Sequence, residues 1–384
     1  MVHQSRFCAL ALLLLQSCSS PDSSDGAPEP EQPAPFPAVE SARLTRTLDD
    51  VVAAKVAPGT SLALLHPKYQ AWFGAAGEAD ISTKAALSPA ARFRAGSMLK
   101  VAVATAILQL VERGDLALDD VISELLPADI VARIPDVQQI TLRMLLQHTS
   151  GLADFSDQAM DLEVAKNPTK IWTFDELLGR ALALPRVSEP GARYSYTNTG
   201  YILLGRILEQ RTGEPWRATL RKQVFARAKL EHSELPEDGN ALCNACARGY
   251  EAIGDELVDF TEVDPSMSGA AGGDALITTP EDLATFLRAL VEGRLFDRAS
   301  TLEAMLDFAA AEVPEEAQVG YGLGIARFRF GETELIGHYG GTAGFQGFML
   351  YEPSTRVVTS GYMNHRGDFG AFLVPVIEAI SQVR

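Results

Sequence analysis

A serine and a lysine three positions apart are the first residues that point to a chemical reaction. Ser97 and Lys100 open a strongly apolar stretch that is predicted to be helical to about residue 113. On a helix, positions i and i+3 share one face, so the Lys100 amine can lie beside the Ser97 hydroxyl. A desolvated, neutral lysine can take the hydroxyl proton and make the serine nucleophilic. A capping serine followed by a solvated lysine is the alternative interpretation.

A tyrosine and an asparagine two positions apart form a second group. Tyr196 and Asn198 stand just before a predicted helix, where a loop can present a phenol and an amide to one cleft. Tyr196 could relay a proton if nearby cations lowered its pKa from about 10. Asn198 could orient Lys100 and a substrate carbonyl. The alternative is a helix-capping asparagine or threonine beside a packed tyrosine.

A glycine-rich stretch at 337–344 is the third group. It contains His338, Gly340 and Gly341 within a predicted strand. Glycines in a strand usually mean that another backbone or a ligand approaches closely. We expect the amides of Gly341 and Ser97 to form an oxyanion hole, in which loss of one donor costs about 10²–10³ in rate. A glycine-rich hairpin is the alternative.

The composition is that of a folded protein that does not bind nucleic acid. Hydrophobic residues make up 47% of the 384 residues and charged residues 22%, which excludes disorder of the whole chain. The length favours about two domains. A formal net charge of −17, with no cluster of Lys and Arg, repels phosphate backbones. No cofactor or metal is expected.

The N-terminus predicts export. Arg6 precedes a short apolar run, and residues 1–17 have the pattern of a secretory signal peptide. The sequence 15–18 resembles a bacterial lipobox, which implies lipidation of Cys18 and attachment to the membrane, facing the periplasm or the cell surface; plain secretion is the alternative. Residues 18–40 are rich in Pro and Ser, and we expect an extended tether.

Two further cysteines, Cys243 and Cys246, follow a loop sequence. Outside the cytoplasm such a pair can form a disulfide. A zinc site would need two more ligands, and a redox motif would open a helix. We favour a structural disulfide in a loop.

The periodicity of apolar residues predicts an α/β fold with a mostly antiparallel sheet. We expect a helix from about Ser41, strands at 61–65 and 69–73, helices to about residue 235, strand-like runs at 321–330, 333–338, 345–351 and 357–362, and a last helix at 368–382. The sheet would be built from both ends of the chain and flanked by N- and C-terminal helices. The predicted domain spans 41–384, with its α/β part at 41–105 and 265–384 and an inserted, mainly helical part at 106–264.

Together the motifs resemble the serine β-lactamase and penicillin-recognising family, most closely its class C branch with D-alanyl-D-alanine carboxypeptidases and related family VIII esterases. That family carries S-x-x-K, then Y-x-N or S-x-N, then K-T-G or H-x-G on a strand, in this order. Similar stretches occur at 145–152 (L-L-x-H-T-S-G-L in the family), 196–205, 272–273, 280–283 and 321–324. The likeness covers about residues 41–384 and implies a β-lactamase/transpeptidase-like fold.

The resemblance implies a mechanism through an acyl-enzyme. Ser97 would attack a carbonyl, and Lys100 and Tyr196 would share the base and acid roles. Asn198 would position both of them. Which of Lys100 and Tyr196 takes the first proton stays open. The family treats the segment that holds His148 as structural.

One departure from the family bears on the substrate. His338 stands where penicillin-destroying relatives usually carry lysine, and a mostly neutral histidine is a weaker anchor for a substrate carboxylate. Arg366 is a candidate replacement, although a surface arginine is the alternative we favour. Thr197 stands where serine is commoner, which is a mild change.

The predicted function is that of a serine hydrolase acting on a D-amino-acid peptide, amide or ester. The alternatives are a true β-lactamase and a non-catalytic protein that binds cell-wall peptides or β-lactams. Neither the natural substrate nor the oligomeric state follows from the sequence.

Overall fold

The strands of the protein lie mainly at the two ends of the chain. A computed structural model describes residues 32–236, 245–264, 266 and 276–383. Its strands are β1 Gly59–Leu65, β2 Trp72–Asp80, β3 Ala85–Ala86, β4 Phe93–Arg94, β5 Tyr250–Ile253, β6 Glu256–Asp259, β7 Ile277–Thr278, β8 Ala309–Val313, β9 Gln318–Tyr321, β10 Ala326–Phe330, β11 Thr333–Thr342, β12 Phe345–Glu352, β13 Val357–Met363 and β14 His365–Arg366.

Most helices lie between these two groups of strands. They are α1 Ala38–Ala53, α2 Leu99–Arg113, α3 Ala128–Val131, α4 Leu142–Leu146, α5 Gln158–Lys166, α6 Phe174–Ala183, α7 Asn198–Thr212, α8 Trp216–Leu220, α9 Ala226–Ala228, α10 Pro280–Val291, α11 Ala299–Met305 and α12 Phe369–Ile380. A 3₁₀ turn, Gly96–Met98, leads directly into α2. Among the described residues, no helix combines the length and apolar character needed to cross a membrane.

A nine-stranded sheet joins the two ends of the chain. Its order is β3-β2-β1-β13-β12-β11-β10-β9-β8, and every described pairing within it is antiparallel. The N-terminal hairpin β1–β2 meets the C-terminal strands where β1 pairs with β13. The predicted antiparallel sheet built from both ends is therefore confirmed.

Helices cover both faces of this sheet. On one face, Leu44 and Leu48 of α1 pack in a buried cluster with Phe372 and Val376 of α12. On the other face, α10 contacts β1, β12 and β13. Burial on both sides explains why every residue of β13 is buried, including the polar Thr359 and Ser360.

The predicted helical insert corresponds to the stretch from α2 to α9. Residues from Ala34 to Arg384 cluster as one compact unit, so the domain boundaries at 105 and 265 stay a prediction. Cys246 is disulfide-bonded, whereas Cys243 and the Gly272-Gly273 pair lie outside the described residues.

Two expected boundaries were wrong at the N-terminal side. α1 begins at Ala38 rather than near Ser41, because Pro37 supplies the extended residue before the helix and Phe36 packs on Tyr69 and Trp72. The second strand runs from Trp72 to Asp80, not from residue 69 to residue 73. Its small residues carry a weak strand pattern, but they pair in register with β1.

The run at 321–330 was expected to be one strand and is two. β9 ends at Tyr321 and β10 begins at Ala326. Between them Gly324 has a φ of +85°, which favours glycine, and the amide of Leu323 donates to the carbonyl of Met305. The strand that ends before this turn leaves the Tyr321 hydroxyl 3.2 Å from Nε2 of His148, which follows α4.

Candidate active site

Ser97 is fixed in the 3₁₀ turn that precedes α2. The turn begins at Gly96, whose φ of +54° suits glycine. A Cβ there would lie 2.6 Å from the carbonyl oxygen of Gly341 on β11. Ser97 itself is half-buried. The turn therefore presents the hydroxyl at the place where β11 and the N-terminus of α2 meet.

Lys100 lies one helical turn away and contacts the hydroxyl. Its Nζ is 3.1 Å from Ser97 Oγ and 2.6 Å from Asn198 Oδ1. The side chain is completely buried. Desolvation lowers the pKa of Lys100 to about 7, although the charge of Asp154 acts in the opposite direction. A large share of the amine is thus neutral near pH 7, and a neutral amine can accept the hydroxyl proton.

Asn198 is oriented by Asp154, an aspartate that the sequence motifs did not indicate. Asn198 Nδ2 donates to Asp154 Oδ2 at 3.0 Å, and its backbone N–H donates to Oδ1 at 3.2 Å. These bonds turn the amide so that Oδ1 faces Lys100. Burial raises the pKa of Asp154. Asp154 stands two residues after the motif at 145–152, but nothing in the spacing links it to Asn198.

Tyr196 completes the group around the hydroxyl. It lines the cavity together with Ser97, and the Lys100 Nζ lies 5.1 Å from the centre of its ring. Burial raises the pKa of Tyr196 well above 10. Its interaction with the Ser97 side chain partly offsets the effect of burial on its pKa. The expectation that nearby cations lower this pKa was wrong in direction, because burial is the largest influence on the phenol.

β11 passes unusually close to the serine turn. A Cβ on Gly340 would lie 2.0 Å from the carbonyl oxygen of Ala95, so only glycine allows this approach. The close backbone contact that the glycines predicted is therefore present. Gly341 stands beside Gly340 on the rim of the same cavity as Ser97, which places two backbone segments next to the hydroxyl.

His338 is buried and neutral. Burial lowers its pKa to about 4, in agreement with the neutral state expected from the sequence. Its Nε2 lies 3.0 Å from the Tyr321 hydroxyl, and its Nδ1 hydrogen-bonds to the carbonyl oxygen of Tyr339. Both ring nitrogens have protein partners, so His338 offers no positive charge to a substrate carboxylate.

A cavity of about 530 Å³ opens in front of Ser97. Its wall is largely apolar and aromatic, with contributions from Phe328, Phe330, Tyr339 and Phe369. Among the described residues that line the cavity, Glu316 is the carboxylate, and none is a lysine or arginine. Arg366 is exposed on β14 and lies outside this lining.

Similarity to known proteins agrees with this arrangement. The β-lactamase family model matches residues 44–377, which is most of the chain and includes every residue of the serine group. The chain belongs to the β-lactamase family. It is a serine hydrolase of that family, with the fold expected from the resemblance.

Penicillin-binding protein 4 of Amycolatopsis lactamdurans is 29% identical to this chain, over 74% of this chain and 75% of its own length. D-aminopeptidase of Brucella anthropi is 28% identical over 81% of this chain and 56% of its own length. D-amino acid amidase from Ochrobactrum anthropi SV3, whose structure was solved with D-phenylalanine, has 30% sequence identity to this chain. The two structures superpose with a TM-score of 0.80 over 90% of this chain and 100% of the amidase chain. The chain spans 50% to 75% of the length of three curated relatives.

The buried lysine predicts a pH-dependent stability. The pKa of Lys100 is about 7 in the folded protein and 10.5 in the unfolded chain. Between these values the unfolded state binds more protons, so the free energy of unfolding should rise with pH by up to about 1.4 kcal/mol per unit. Urea denaturation at about pH 7, 8 and 9 measures this slope. Lys100→Met should flatten it; an unchanged slope in this variant would contradict the assignment.

Proposed function

We propose that the protein hydrolyses D-amino-acid amides, peptides or esters through an acyl-enzyme on Ser97. The observation that carries the proposal is the contact between the Ser97 hydroxyl and a fully buried Lys100 amine at 3.1 Å. A nucleophile needs a base within hydrogen-bond reach, and that base must be partly neutral at the working pH. The position and the lowered pKa of Lys100 meet both conditions.

In the first half-reaction the Ser97 Oγ attacks the substrate carbonyl carbon. The hydroxyl proton moves to Lys100 Nζ, and the amides of Ser97 and Gly341 stabilise the oxyanion. The C–N or C–O bond then breaks, and the leaving group takes a proton from the protonated amine through the Tyr196 phenol. Tyr196 suits this acid role because its raised pKa keeps the phenol protonated. We therefore assign the first proton transfer to Lys100.

In the second half-reaction a water molecule attacks the acyl ester. The neutral Lys100 takes a proton from this water, the ester bond to Ser97 breaks, and the protonated Lys100 gives that proton to the departing Ser97 Oγ. Asn198 holds the amine in place throughout, because its amide is fixed from behind by Asp154. The electron pairs and protons balance without a cofactor.

The cavity supports a substrate with an apolar side chain and without an essential carboxylate. Aromatic side chains form much of the wall, and no lysine or arginine is among its lining residues. His338 is neutral with both nitrogens bonded. A β-lactam carboxylate would meet no lysine or arginine among the described residues of the cavity wall. Glu316 instead favours a substrate that carries a free amino group, as the substrates implied by the names of two relatives do.

A panel of substrates tests this proposal. We expect simple acyl esters to be hydrolysed readily, D-phenylalaninamide at least about tenfold faster than its L enantiomer, and nitrocefin slowly. N-acetyl-D-phenylalaninamide is the matched control for the amino group, and Glu316→Gln should narrow the difference between the two amides. Rapid turnover of nitrocefin, or no hydrolysis of any ester or amide, would overturn the proposed substrate class.

We further propose that the protein is exported and anchored through a lipid on Cys18. The support is the sequence of residues 1–33: a short apolar run after Arg6, the lipobox-like residues 15–18 and the Pro- and Ser-rich stretch that follows them. The predicted tether is shorter than expected, because Phe36 packs on the fold and α1 begins at Ala38. Replacing Cys18 by serine should release the protein from the membrane fraction of an expressing bacterium. An unchanged membrane fraction would contradict the anchor.

A further inference from the structure

His148 has an unusual backbone for a buried residue. It follows α4, its φ is +56°, and its side chain is completely buried. Non-glycine residues adopt this left-handed conformation uncommonly. Strain of this kind persists where the surroundings hold the residue in place, and it often occurs next to functional groups. The question is therefore what His148 holds.

His148 contacts the loop that carries Tyr196 at three points. The backbone N–H of Ser195 donates to the His148 carbonyl oxygen at 2.8 Å. The backbone N–H of Thr197 donates to His148 Nδ1 at 3.2 Å. Between these two bonds, the imidazole lies against the Tyr196 ring, with 4.2 Å between ring centres and an angle of 34°. Both neighbours of Tyr196 and its ring are thus fixed by one residue.

These bonds also determine where the ring protons are. Nδ1 of His148 accepts, so the neutral ring carries its proton on Nε2 and donates it to the Tyr321 hydroxyl at 3.2 Å. Tyr321 then donates to His338 Nε2 at 3.0 Å, and His338 Nδ1 donates to the Tyr339 carbonyl. The bonds form one ordered chain from the Tyr196 loop to β11.

The surroundings favour the neutral ring. Burial lowers the pKa of His148 well below 6.5, and any positive charge on Lys100 acts in the same direction. The other titratable groups in ring contact with it are all tyrosines: Tyr194, Tyr196, Tyr201 and Tyr321. With both nitrogens used in hydrogen bonds, and no place among the residues that line the cavity, His148 is not a base for the substrate.

We propose that His148 is a positioning residue that holds the Tyr196 phenol against Ser97, and that Tyr321 connects it to the strand of the oxyanion hole. The proposal rests on the proposed function, because it assigns His148 a role in the reaction at Ser97. Misplacing a catalytic group by about 1 Å can cost about 10²-fold in rate. His148 therefore acts on kcat through Tyr196 and leaves substrate binding nearly unchanged.

Three variants test the proposal with an acyl ester as substrate. His148→Ala should lower kcat about 10²-fold and change KM by less than about threefold. His148→Asn should recover about tenfold of this loss, since its Oδ1 can accept from Thr197 N–H and asparagine tolerates a positive φ. Tyr321→Phe keeps the three contacts to the loop and should cost less than about tenfold. Circular dichroism and thermal unfolding check that each variant is folded.

The outcomes separate this proposal from the proposed function. If Ser97→Ala is inactive but folded His148→Ala keeps the wild-type kcat, the positioning role is wrong and the nucleophile stands. If Ser97→Ala keeps activity, the proposed function is wrong. If Asn restores nothing relative to Ala, the hydrogen bond to Thr197 is not what positions Tyr196, and the proposal is overturned.

A spectroscopic measurement tests the proton order even where a histidine variant does not fold. In ¹⁵N spectra of histidine-labelled wild type near pH 7, the two rings that shift in Tyr321→Phe should be neutral. One should carry its proton on Nε2 and the other on Nδ1. Two rings with the same tautomer, or a protonated ring, would contradict the chain of hydrogen bonds.

Discussion

Ser97→Ala is expected to lower kcat for acyl esters and amides by roughly 10⁴-fold or more, because it removes the oxygen that forms the acyl bond. The alanine keeps the backbone amide and fits a turn that is already half-buried. Folding should therefore be unaffected. Steady-state kinetics measure the loss, and Ser354→Ala, which removes an exposed hydroxyl in the turn after β12, is the control that should leave the rate unchanged.

The same variant separates an enzyme from a silent binding protein. Wild type should react with a fluorophosphonate probe, and Ser97→Ala should not. If neither protein reacts and neither hydrolyses any substrate, the role of Ser97 as a nucleophile is wrong. The result would then favour a non-catalytic protein that binds peptides or β-lactams.

Lys100→Met and Lys100→Arg should each lower kcat/KM by about 10³-fold or more, since both remove the neutral amine next to the nucleophile. Arginine keeps a positive charge but is never deprotonated in a protein, so a loss as large as that of methionine identifies proton transfer rather than charge as the function. The matched control is Lys222→Met, which removes a lysine that is 70% exposed.

The wild-type pH profile belongs to the same prediction. Activity requires the neutral amine, so kcat/KM should rise as the pH passes through the Lys100 pKa of about 7 and then level off. Retention of wild-type activity by Lys100→Arg, or a rate independent of pH between about 5 and 8, would contradict the role of Lys100 as the base.

The parts of the site that could be predicted from sequence are those set by local geometry or by a motif. The contact between Ser97 and Lys100 follows from helical spacing, and it is present. The glycines of β11 predicted a close backbone approach, which the Ala95 carbonyl makes. Motif order predicted that Tyr196 and Asn198 belong to the site. In the structure, Asn198 hydrogen-bonds to Lys100, and the Tyr196 ring centre lies 5.1 Å from the same amine.

The parts that could not be predicted depend on contacts between distant segments. Asp154 reaches Asn198 across 44 positions, and Tyr321 reaches His148 across 173. No periodicity encodes such pairs. The direction of the Tyr196 pKa shift was wrong for the same reason, because burial outweighs nearby charge and burial is set by the whole fold. The C-terminal part of β2 consists largely of small residues with a weak strand pattern, so its extent could not be predicted; pairing with β1 determines it.

The most direct test of the account is to identify the covalent intermediate. Wild type that turns over an ester of D-phenylalanine is quenched in acid during the steady state, digested and examined by mass spectrometry. We expect a D-phenylalanyl group on the peptide that contains Ser97 and none on the corresponding peptide of the Ser97→Ala protein. Turnover with no acylated peptide after rapid quenching, or an acyl group on any other residue, would contradict it.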